Sequence, residues 1–316
     1  MMRVALAFLS LASGMPAALK SIDADLHPLD NKAVYTYKTA PQGDLRVNLY
    51  FPPRWRKADR RPAIIFFFGG SCATGSPVQF ASTAEYFATR GLVAASAEYR
   101  IESIHHTPPQ ACAEDAKSAI RWLRMNAPRL GIDRTRVIAG GGSSGASIAA
   151  FAAYNTTFEP KDEDASVSSK PDALVLVNPA FGFPDRMTPE QAAAAEGPIG
   201  AFITSWKVTK GGPPAILFFG TEDPLQEKAL DFARQVIAAG TRAEFYTAEG
   251  QKHGFFNRSD TSVWHALVLR QIDLFLASLG YLQGEPTVGT PADTTVRLQK
   301  VLLSRASAQG INPLCV

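Results

Sequence analysis

Residues 136–150 read RVIAGGGSSGASIAA: an apolar run, a glycine-rich corner and a stretch of small residues. The apolar run predicts a strand and the small residues predict a helix. Between them, residues 141–145 match G-x-S-x-G, the pattern of a nucleophile elbow, which holds a serine on a strained strand-to-helix turn with its hydroxyl exposed. We therefore predict that Ser143 is a nucleophile. Its backbone donors are expected upstream, and an acid and then a histidine downstream.

A second pattern overlaps the first. Gly140, Gly142 and Gly145 also form G-x-G-x-x-G, a dinucleotide-binding fingerprint. That fingerprint requires a strand that ends in Asp or Glu about 20 residues later. The acidic residues at this distance belong instead to the polar run EPKDED at 159–164, which predicts a loop, and the next strand ends at Asn178. We therefore favour the elbow, whose chemistry needs no cofactor and no metal.

Composition narrows the classes of protein. The chain has 316 residues, 46% of them apolar, which is enough for one large α/β domain with a sizeable core. A net charge of +3 is too balanced to indicate a nucleic-acid surface, so no nucleic-acid partner is expected.

The N-terminus resembles a secretory signal. Arg3 gives a positive start, residues 4–11 are apolar, and PAA at 16–18 offers small residues for cleavage. We predict a signal peptide at 1–18 and a secreted or periplasmic location; the alternative is a disordered or buried amphipathic start. No later stretch is long and apolar enough to predict a membrane span.

The chain contains three cysteines, Cys72, Cys112 and Cys315. An exported protein could pair two of them, and the sequence does not decide which. Cys72 and Cys112 both fall near the predicted active-site rim, so a bridge between them is one alternative. None has the spacing of a metal site.

Eight runs rich in β-branched and aromatic residues predict strands: 34–38, 45–51, 63–68, 92–99, 136–140, 173–178, 215–220 and 243–248. The first two are close together and predict an antiparallel hairpin at a sheet edge. Helical patterns separate the others, at 79–90, 110–127, after the elbow, at 226–239 and at 262–279. This alternation predicts a mostly parallel sheet with helices on both faces.

Two segments stand apart from this alternation. Residues 180–212 are rich in Ala, Pro and Gly and follow a strand end, which suggests a lid or substrate loop. Residues 284–316 follow the last helix; their first part resembles a linker, and 295–307 predicts a short amphipathic helix. We therefore expect a catalytic domain at 19–283 and a C-terminal extension at 284–316.

A serine nucleophile needs a base and a group that orients the base. His253 follows the eighth strand in a Gly-x-x-His-Gly turn and is our predicted base. Asp223 follows the seventh strand and is predicted to hold the imidazole tautomer, with Glu222 as the alternative acid. Asp115, on the second helix, is interpreted as a buried structural carboxylate with Arg100 as its partner.

The oxyanion of the tetrahedral intermediate needs backbone donors. We predict that Gly69 and Gly70, at the end of the third strand, and Ser144, directly after the nucleophile, form this oxyanion hole. We predict substrate contacts at four residues near the same rim: Ser71, Cys72, His106 and Phe181.

Taken together, these segments resemble the hormone-sensitive-lipase-like branch of the α/β-hydrolases, which includes many bacterial carboxylesterases and sugar-ester deacetylases. The resemblance covers about residues 35–282 and is carried by these segments: 64–71 (IIFFFGGS), 114–116 (EDA) with 120–123 (IRWL), 141–145 (GGSSG), 220–223 (GTED) and 253–256 (HGFF). It implies an α/β-hydrolase fold with eight strands and the triad order Ser143, Asp223, His253.

The chain departs from the family pattern at two points. The family's His-Gly-Gly-Gly appears here as Phe68-Gly69-Gly70-Ser71, and Cys72 stands where an aromatic residue often follows. The residue before the nucleophile is often acidic in this branch, and here it is Gly142. Neither departure removes a member of the triad.

We expect a serine esterase that acts through an acyl-enzyme on a short-acyl ester of a small molecule or carbohydrate, with deacetylation of a polysaccharide as the finer hypothesis. A serine peptidase with the same triad and a non-catalytic binding protein of the same fold are the alternatives. Acyl length, leaving group and oligomeric state are not encoded in any pattern that we identify.

Overall fold

The chain folds around one ten-stranded sheet, seen in a computed structural model that describes residues 18–22, 30–156, 158–181, 207–257, 262–289 and 295–303. The strands are β1 (Ala18–Leu19), β2 (Lys32–Ala40), β3 (Gly43–Tyr50), β4 (Arg61–Phe67), β5 (Val93–Ala97), β6 (Ile132–Gly142), β7 (Ala173–Val177), β8 (Ala215–Gly220), β9 (Ala243–Ala248) and β10 (Leu298–Val301). The helices are α1 (Ala81–Thr89), α2 (Glu102–His105), α3 (Gln110–Met125), α4 (Ala127–Leu130), α5 (Ser144–Tyr154), α6 (Gln226–Ala238) and α7 (Val263–Ser278).

The sheet order is β1-β2-β3-β5-β4-β6-β7-β8-β9-β10. The six central strands from β5 to β9 run parallel, and antiparallel strands extend the sheet at both ends. Because the carboxyl ends of parallel strands meet at one edge, the loops after β4, β6, β8 and β9 converge there. This edge carries the predicted catalytic residues.

The core has two layers because side chains alternate between the faces of each strand. Ile65 and Phe67 of β4 pack with α3, α5 and α6 on one face. Ile64 and Phe66 pack with α1 and α7 on the other. The central strands are buried on both sides, which explains why β4 and β8 are continuous apolar runs.

The predicted α/β-hydrolase fold is confirmed, with one correction to the strand count. All eight predicted strands are present, but β1 and β10 raise the total to ten. The predicted helix at 295–307 is wrong for residues 298–301, which pair antiparallel with β9. Burial does not alternate along this strand: its two end residues are partly buried and its two middle residues are exposed. Its pairing supplies the hydrogen bonds that β9 would otherwise lack at the sheet edge.

Several sequence predictions lie outside the described residues. Most of the signal segment, residues 1–17, is among them, as are 182–206 of the predicted lid and 304–316 of the C-terminal extension. Within the described chain, no helix has the length and hydropathy needed to cross a membrane.

A buried ionic network joins the antiparallel hairpin to α3. The Asp115 side chain is fully buried and accepts from Lys38 Nζ at 2.8 Å and from Arg100 Nε at 2.7 Å. Its Oδ2 also accepts from the Arg100 backbone N–H at 2.9 Å. The structural interpretation of Asp115, with Arg100 as its partner, is confirmed.

Candidate active site

The elbow lies between β6 and α5. Ser143 has φ 52° and ψ −124°, a strained conformation for a residue with a side chain, and its N–H donates to Val177 O on β7 at 3.0 Å. A Cβ on Gly141 would lie 2.3 Å from Phe67 O, and one on Gly145 would lie 2.1 Å from the same oxygen. The two glycines of the motif are therefore required by the close approach of β4.

Three distant segments bring a hydroxyl, an imidazole and a carboxylate together. Ser143 Oγ lies 2.9 Å from His253 Nε2, and His253 Nδ1 lies 2.7 Å from Asp223 Oδ2. The Asp223 side chain is fully buried, whereas that of His253 is 38% exposed. A carboxylate on Nδ1 favours the tautomer with its proton there, which leaves Nε2 free to accept a proton from the serine.

Backbone contacts join the acid loop, which follows β8 and carries Asp223, to the histidine loop, which follows β9 and carries His253. Glu222 N–H donates to Gln251 O at 2.9 Å, and a Cβ on Gly220 would lie 2.0 Å from that oxygen. Asp223 Oδ1 accepts from Leu225 N–H at 3.0 Å, which fixes the carboxylate. Glu222, the alternative acid, is exposed, and Asp223 is the carboxylate that reaches His253.

The loop after β4, residues 68–75, lies against the elbow. Gly70 has φ 126°, and a Cβ there would lie 2.2 Å from Thr74 O. Gly70 O accepts from the N–H groups of Ala73 and Thr74, and Phe68 O accepts from the Tyr99 hydroxyl at 2.6 Å. These contacts hold the loop in one tight turn, which we call the oxyanion loop.

The structure corrects one predicted donor. Gly69 N–H donates to Gln79 Oε1 at 2.7 Å, so it is occupied and is not directed at a substrate. Glycine is needed at this position for packing, because a Cβ would lie 2.9 Å from Gly142 O. The N–H groups of Gly70, Ser71 and Ser144 meet no acceptor within the described chain, and these three are the available donors.

Both described cysteines are free thiols, so the alternative of a Cys72–Cys112 bridge is not realised in this structure. Cys72 N–H donates to Ser144 Oγ at 3.3 Å, and Cys112 Sγ donates to Arg100 O at 3.2 Å. Burial raises the pKa of the Cys112 thiol, and the nearby Cys72 raises it further. Cys72 is a buried residue of the oxyanion loop and is not open to a substrate, contrary to its predicted role.

Of the other three predicted substrate contacts, two are exposed and one is buried. Ser71 is exposed on the oxyanion loop with φ 58°. His106 is exposed at the end of α2, which is attached to that loop by the hydrogen bond from Glu102 N–H to Cys72 O at 3.0 Å. Phe181 is buried and packs on Phe232 with ring centroids 4.5 Å apart, so it belongs to the core.

Sequence reasoning did not assign three residues that touch this site. Gln79 links the oxyanion loop to the histidine loop, because its Nε2 donates to Asn257 Oδ1 at 3.1 Å. Phe256 covers the elbow, and a Cβ on Gly142 would lie 2.4 Å from its ring, which explains the absence of an acidic residue there. Asn178, at the end of β7, contacts the ring of His253. Only Phe256 lay within a recognised motif.

The described residues contain no group of three or more His, Cys, Asp or Glu side chains arranged to hold a metal ion. The chemistry that this arrangement supports is proton transfer from a serine hydroxyl, with backbone donors placed for a developing oxyanion.

Comparison with known proteins identifies the family. Residues 47–196 match the BD-FAE family model. An esterase structure from Thermogutta terrifontis, Est2 with propionate bound, is 36% identical, covers 81% of this chain and 97% of its own, and has a TM-score of 0.76.

Curated relatives are more distant. Esterase LipC of Mycobacterium tuberculosis is 27% identical over 64% of this chain, and the alignment spans only 56% of its own length. Carboxylesterase NlhH of the same organism is 26% identical, over 68% of this chain and 72% of its own. With the elbow, the sheet order and these relatives in agreement, the chain belongs to the hormone-sensitive-lipase-like carboxylesterase branch of the α/β-hydrolase superfamily.

Proposed function

We propose that the protein is a serine carboxylic-ester hydrolase that acts through an acyl-enzyme on short-acyl esters. Ser143 Oγ attacks the ester carbonyl carbon while His253 Nε2 takes the hydroxyl proton. Asp223 stabilises the imidazolium, and the N–H groups of Gly70 and Ser144 hold the oxyanion, with Ser71 as a third donor. The observation that carries this proposal is the relay of 2.9 and 2.7 Å from Ser143 through His253 to Asp223.

The second half of the cycle reverses these roles. The tetrahedral intermediate collapses as His253 gives its proton to the leaving alkoxide oxygen, and the acyl group stays on Ser143. A water molecule then gives its proton to His253 and attacks the acyl carbon. The carboxylic acid leaves and the serine hydroxyl is restored. No other co-reactant is required.

The short acyl chain is supported by two structures of the related Est2, which hold propionate and butyrate. Deacetylation of a carbohydrate ester is the finer proposal, and it rests on the expected secreted or periplasmic location together with the family resemblance. A panel of p-nitrophenyl esters from acetyl to octanoyl, with acetylated xylan alongside, tests both. Turnover highest at acetyl to butyryl supports the short-acyl proposal, and a preference for octanoyl contradicts it. Release of acetate from xylan supports the carbohydrate proposal.

Labelling with a fluorophosphonate tests the mechanism. The wild-type protein should be labelled, and Ser143→Ala should not. Turnover of p-nitrophenyl acetate by Ser143→Ala should fall by about 10⁴-fold or more. Ser147→Ala is the matched control, because Ser147 lies one helical turn away and bonds to Ala180 O at 2.8 Å. An unlabelled wild-type protein would favour the non-catalytic binding protein, and faster turnover of a peptide anilide than of the ester would favour the peptidase.

A further inference from the structure

Asn178 is held against His253 in an unusual backbone conformation. It follows β7 directly and has φ 37°, a region that few residues with side chains adopt, although asparagine tolerates it better than most. Its N–H donates to Phe218 O at 2.8 Å, which anchors the residue to β8. The side chain is fully buried. The fold thus places a polar amide at a defined position beneath the partly exposed imidazole.

The amide lies over the face of the ring. Asn178 Nδ2 is 3.2 Å from His253 Nδ1 and 3.1 Å from His253 Nε2. An atom at nearly equal distance from both nitrogens cannot lie in the ring plane, since it would overlap Cε1. The in-plane positions are already used, by Asp223 at Nδ1 and by Ser143 at Nε2. Asn178 therefore contacts the π face of the imidazole without competing for either proton.

The other end of the same amide has no partner. Asn178 Oδ1 is buried and, within the described residues, meets no hydrogen-bond donor. A buried polar atom without a partner lowers stability, and an apolar side chain of similar size would not incur that loss. Since no donor holds Oδ1, the amide can also turn about its Cβ–Cγ bond.

We propose that Asn178 is a positioning residue for His253, and that its amide turns to match the charge on the ring. A neutral imidazole presents an electron-rich face, which attracts the N–H groups of Nδ2. Once His253 has taken the serine proton, the ring is a cation, and a half-turn places Oδ1 over it. The only proton that moves is the one passed from Ser143 Oγ to His253 Nε2. This inference rests on the serine mechanism proposed above.

Asn178→Leu removes the amide and keeps a similar volume. We expect the kcat for p-nitrophenyl acetate to fall about 10- to 100-fold, the factor that a polar contact to a charged group supplies, with KM unchanged. Asn178→Asp keeps an oxygen over the ring and should retain a kcat closer to that of the wild type. Rates are normalised to active sites, counted by complete fluorophosphonate labelling, so that a loss of folded protein does not lower them.

Asn178→Gly is the second variant, because glycine accepts a φ of 37° without strain and lacks the amide. It should show the same fall in kcat even if the leucine variant does not fold. Asn126→Leu is the matched control: Asn126 is equally buried, but its amide is satisfied by Ile22 N–H and Trp122 O. That variant should lose stability and keep the wild-type rate per site.

The outcomes separate this inference from the proposed mechanism. A wild-type rate per site in both Asn178→Leu and Asn178→Gly overturns the role of Asn178 and leaves the triad intact. An Asn178→Asp rate as low as that of the leucine variant overturns the turning oxygen. A wild-type protein that neither hydrolyses the ester nor takes the label overturns the serine mechanism itself.

Discussion

Asp223 and Asp115 are both fully buried aspartates, and they differ in how completely their partners neutralise them. Asp115 contacts two buried cations, Lys38 and Arg100, and accepts a backbone N–H as well. Among the described residues, the Asp223 side chain contacts one ionisable group, His253, and one backbone N–H, that of Leu225. The side chains of Asp115 and of its two cations are at most 10% exposed, whereas the imidazole of His253 is 38% exposed.

This difference distinguishes an aspartate that stabilises the fold from an aspartate that, in the proposed mechanism, supports the catalytic histidine. Each carboxylate oxygen of Asp115 contacts a cation in the resting fold, so this group contributes to stability. In the proposed mechanism His253 takes the serine proton, so the contribution of Asp223 should be largest in the transition state. We expect substitutions in the two sites to affect different measurements.

Among the substitutions that compare these two sites, the largest effect is expected from Asp223→Asn. The amide cannot hold the Nδ1–H tautomer of His253, and kcat should fall by about 10⁴-fold, the loss seen when this substitution is made in a serine protease. Steady-state hydrolysis of p-nitrophenyl acetate measures it, with thermal unfolding to show that the fold persists. A rate within tenfold of the wild type would mean that Asp223 does not orient the base.

Asp115→Asn should affect stability instead. It leaves Lys38 and Arg100 buried without a full counter-charge, and removal of one partner from a buried ion pair costs about 3–5 kcal/mol. Urea unfolding measures the loss, and kcat per labelled active site should stay near the wild-type value. A stable protein with a much lower kcat per site would show that the two aspartates are not functionally distinct.

Lys117→Met tests another buried cation, which lies on α3 two residues after Asp115. Lys117 is buried and contacts Asn155 O and Glu159, each at 2.6 Å. Burial lowers the pKa of Lys117 from its ordinary value of 10.5, so the folded chain binds the ammonium proton less tightly than the unfolded chain does. The charge therefore opposes folding at neutral pH. Glu159 is 43% exposed and keeps Arg121 as a partner at 3.0 Å, so removal of Lys117 leaves no buried charge unpaired and should change the free energy of unfolding by no more than about 1 kcal/mol. A loss as large as that of Asp115→Asn would contradict this argument.

Glu222→Gln should have the smallest effect. Glu222 is the immediate neighbour of Asp223, but its side chain is exposed and only its backbone joins the histidine loop. Both kcat and the midpoint of unfolding should match those of the wild type. If this variant is inactive and Asp223→Asn is not, the assignment of the acid must be exchanged.

Much of the site could be predicted because its parts are local. The elbow, the turn that carries Asp223 and the turn that carries His253 each have a short pattern, and each follows a strand whose apolar run is easy to identify. Parallel strands then bring these turns to one edge. The eight strands of the central sheet were found for the same reason.

The remaining features depend on tertiary contacts and not on a local pattern. The N–H of Gly69 is occupied because Gln79, ten residues later, folds back onto it. Residues 298–301 form a strand because β9 offers an unpaired edge, although their own pattern also fits a helix. Cys72 and Phe181 proved to be buried because their neighbours are Cys112 and Phe232, which no local pattern associates with them.

The sequence by itself determined the family, and it predicted the proposed nucleophile and the order of its partners, since each is encoded in a stretch of a few residues next to a strand end. Only the tertiary structure decided which backbone donors are free, which thiols are covered and that Asn178 lies over the imidazole. Those properties depend on what occupies the space around an atom, and that space is filled by residues from distant parts of the chain.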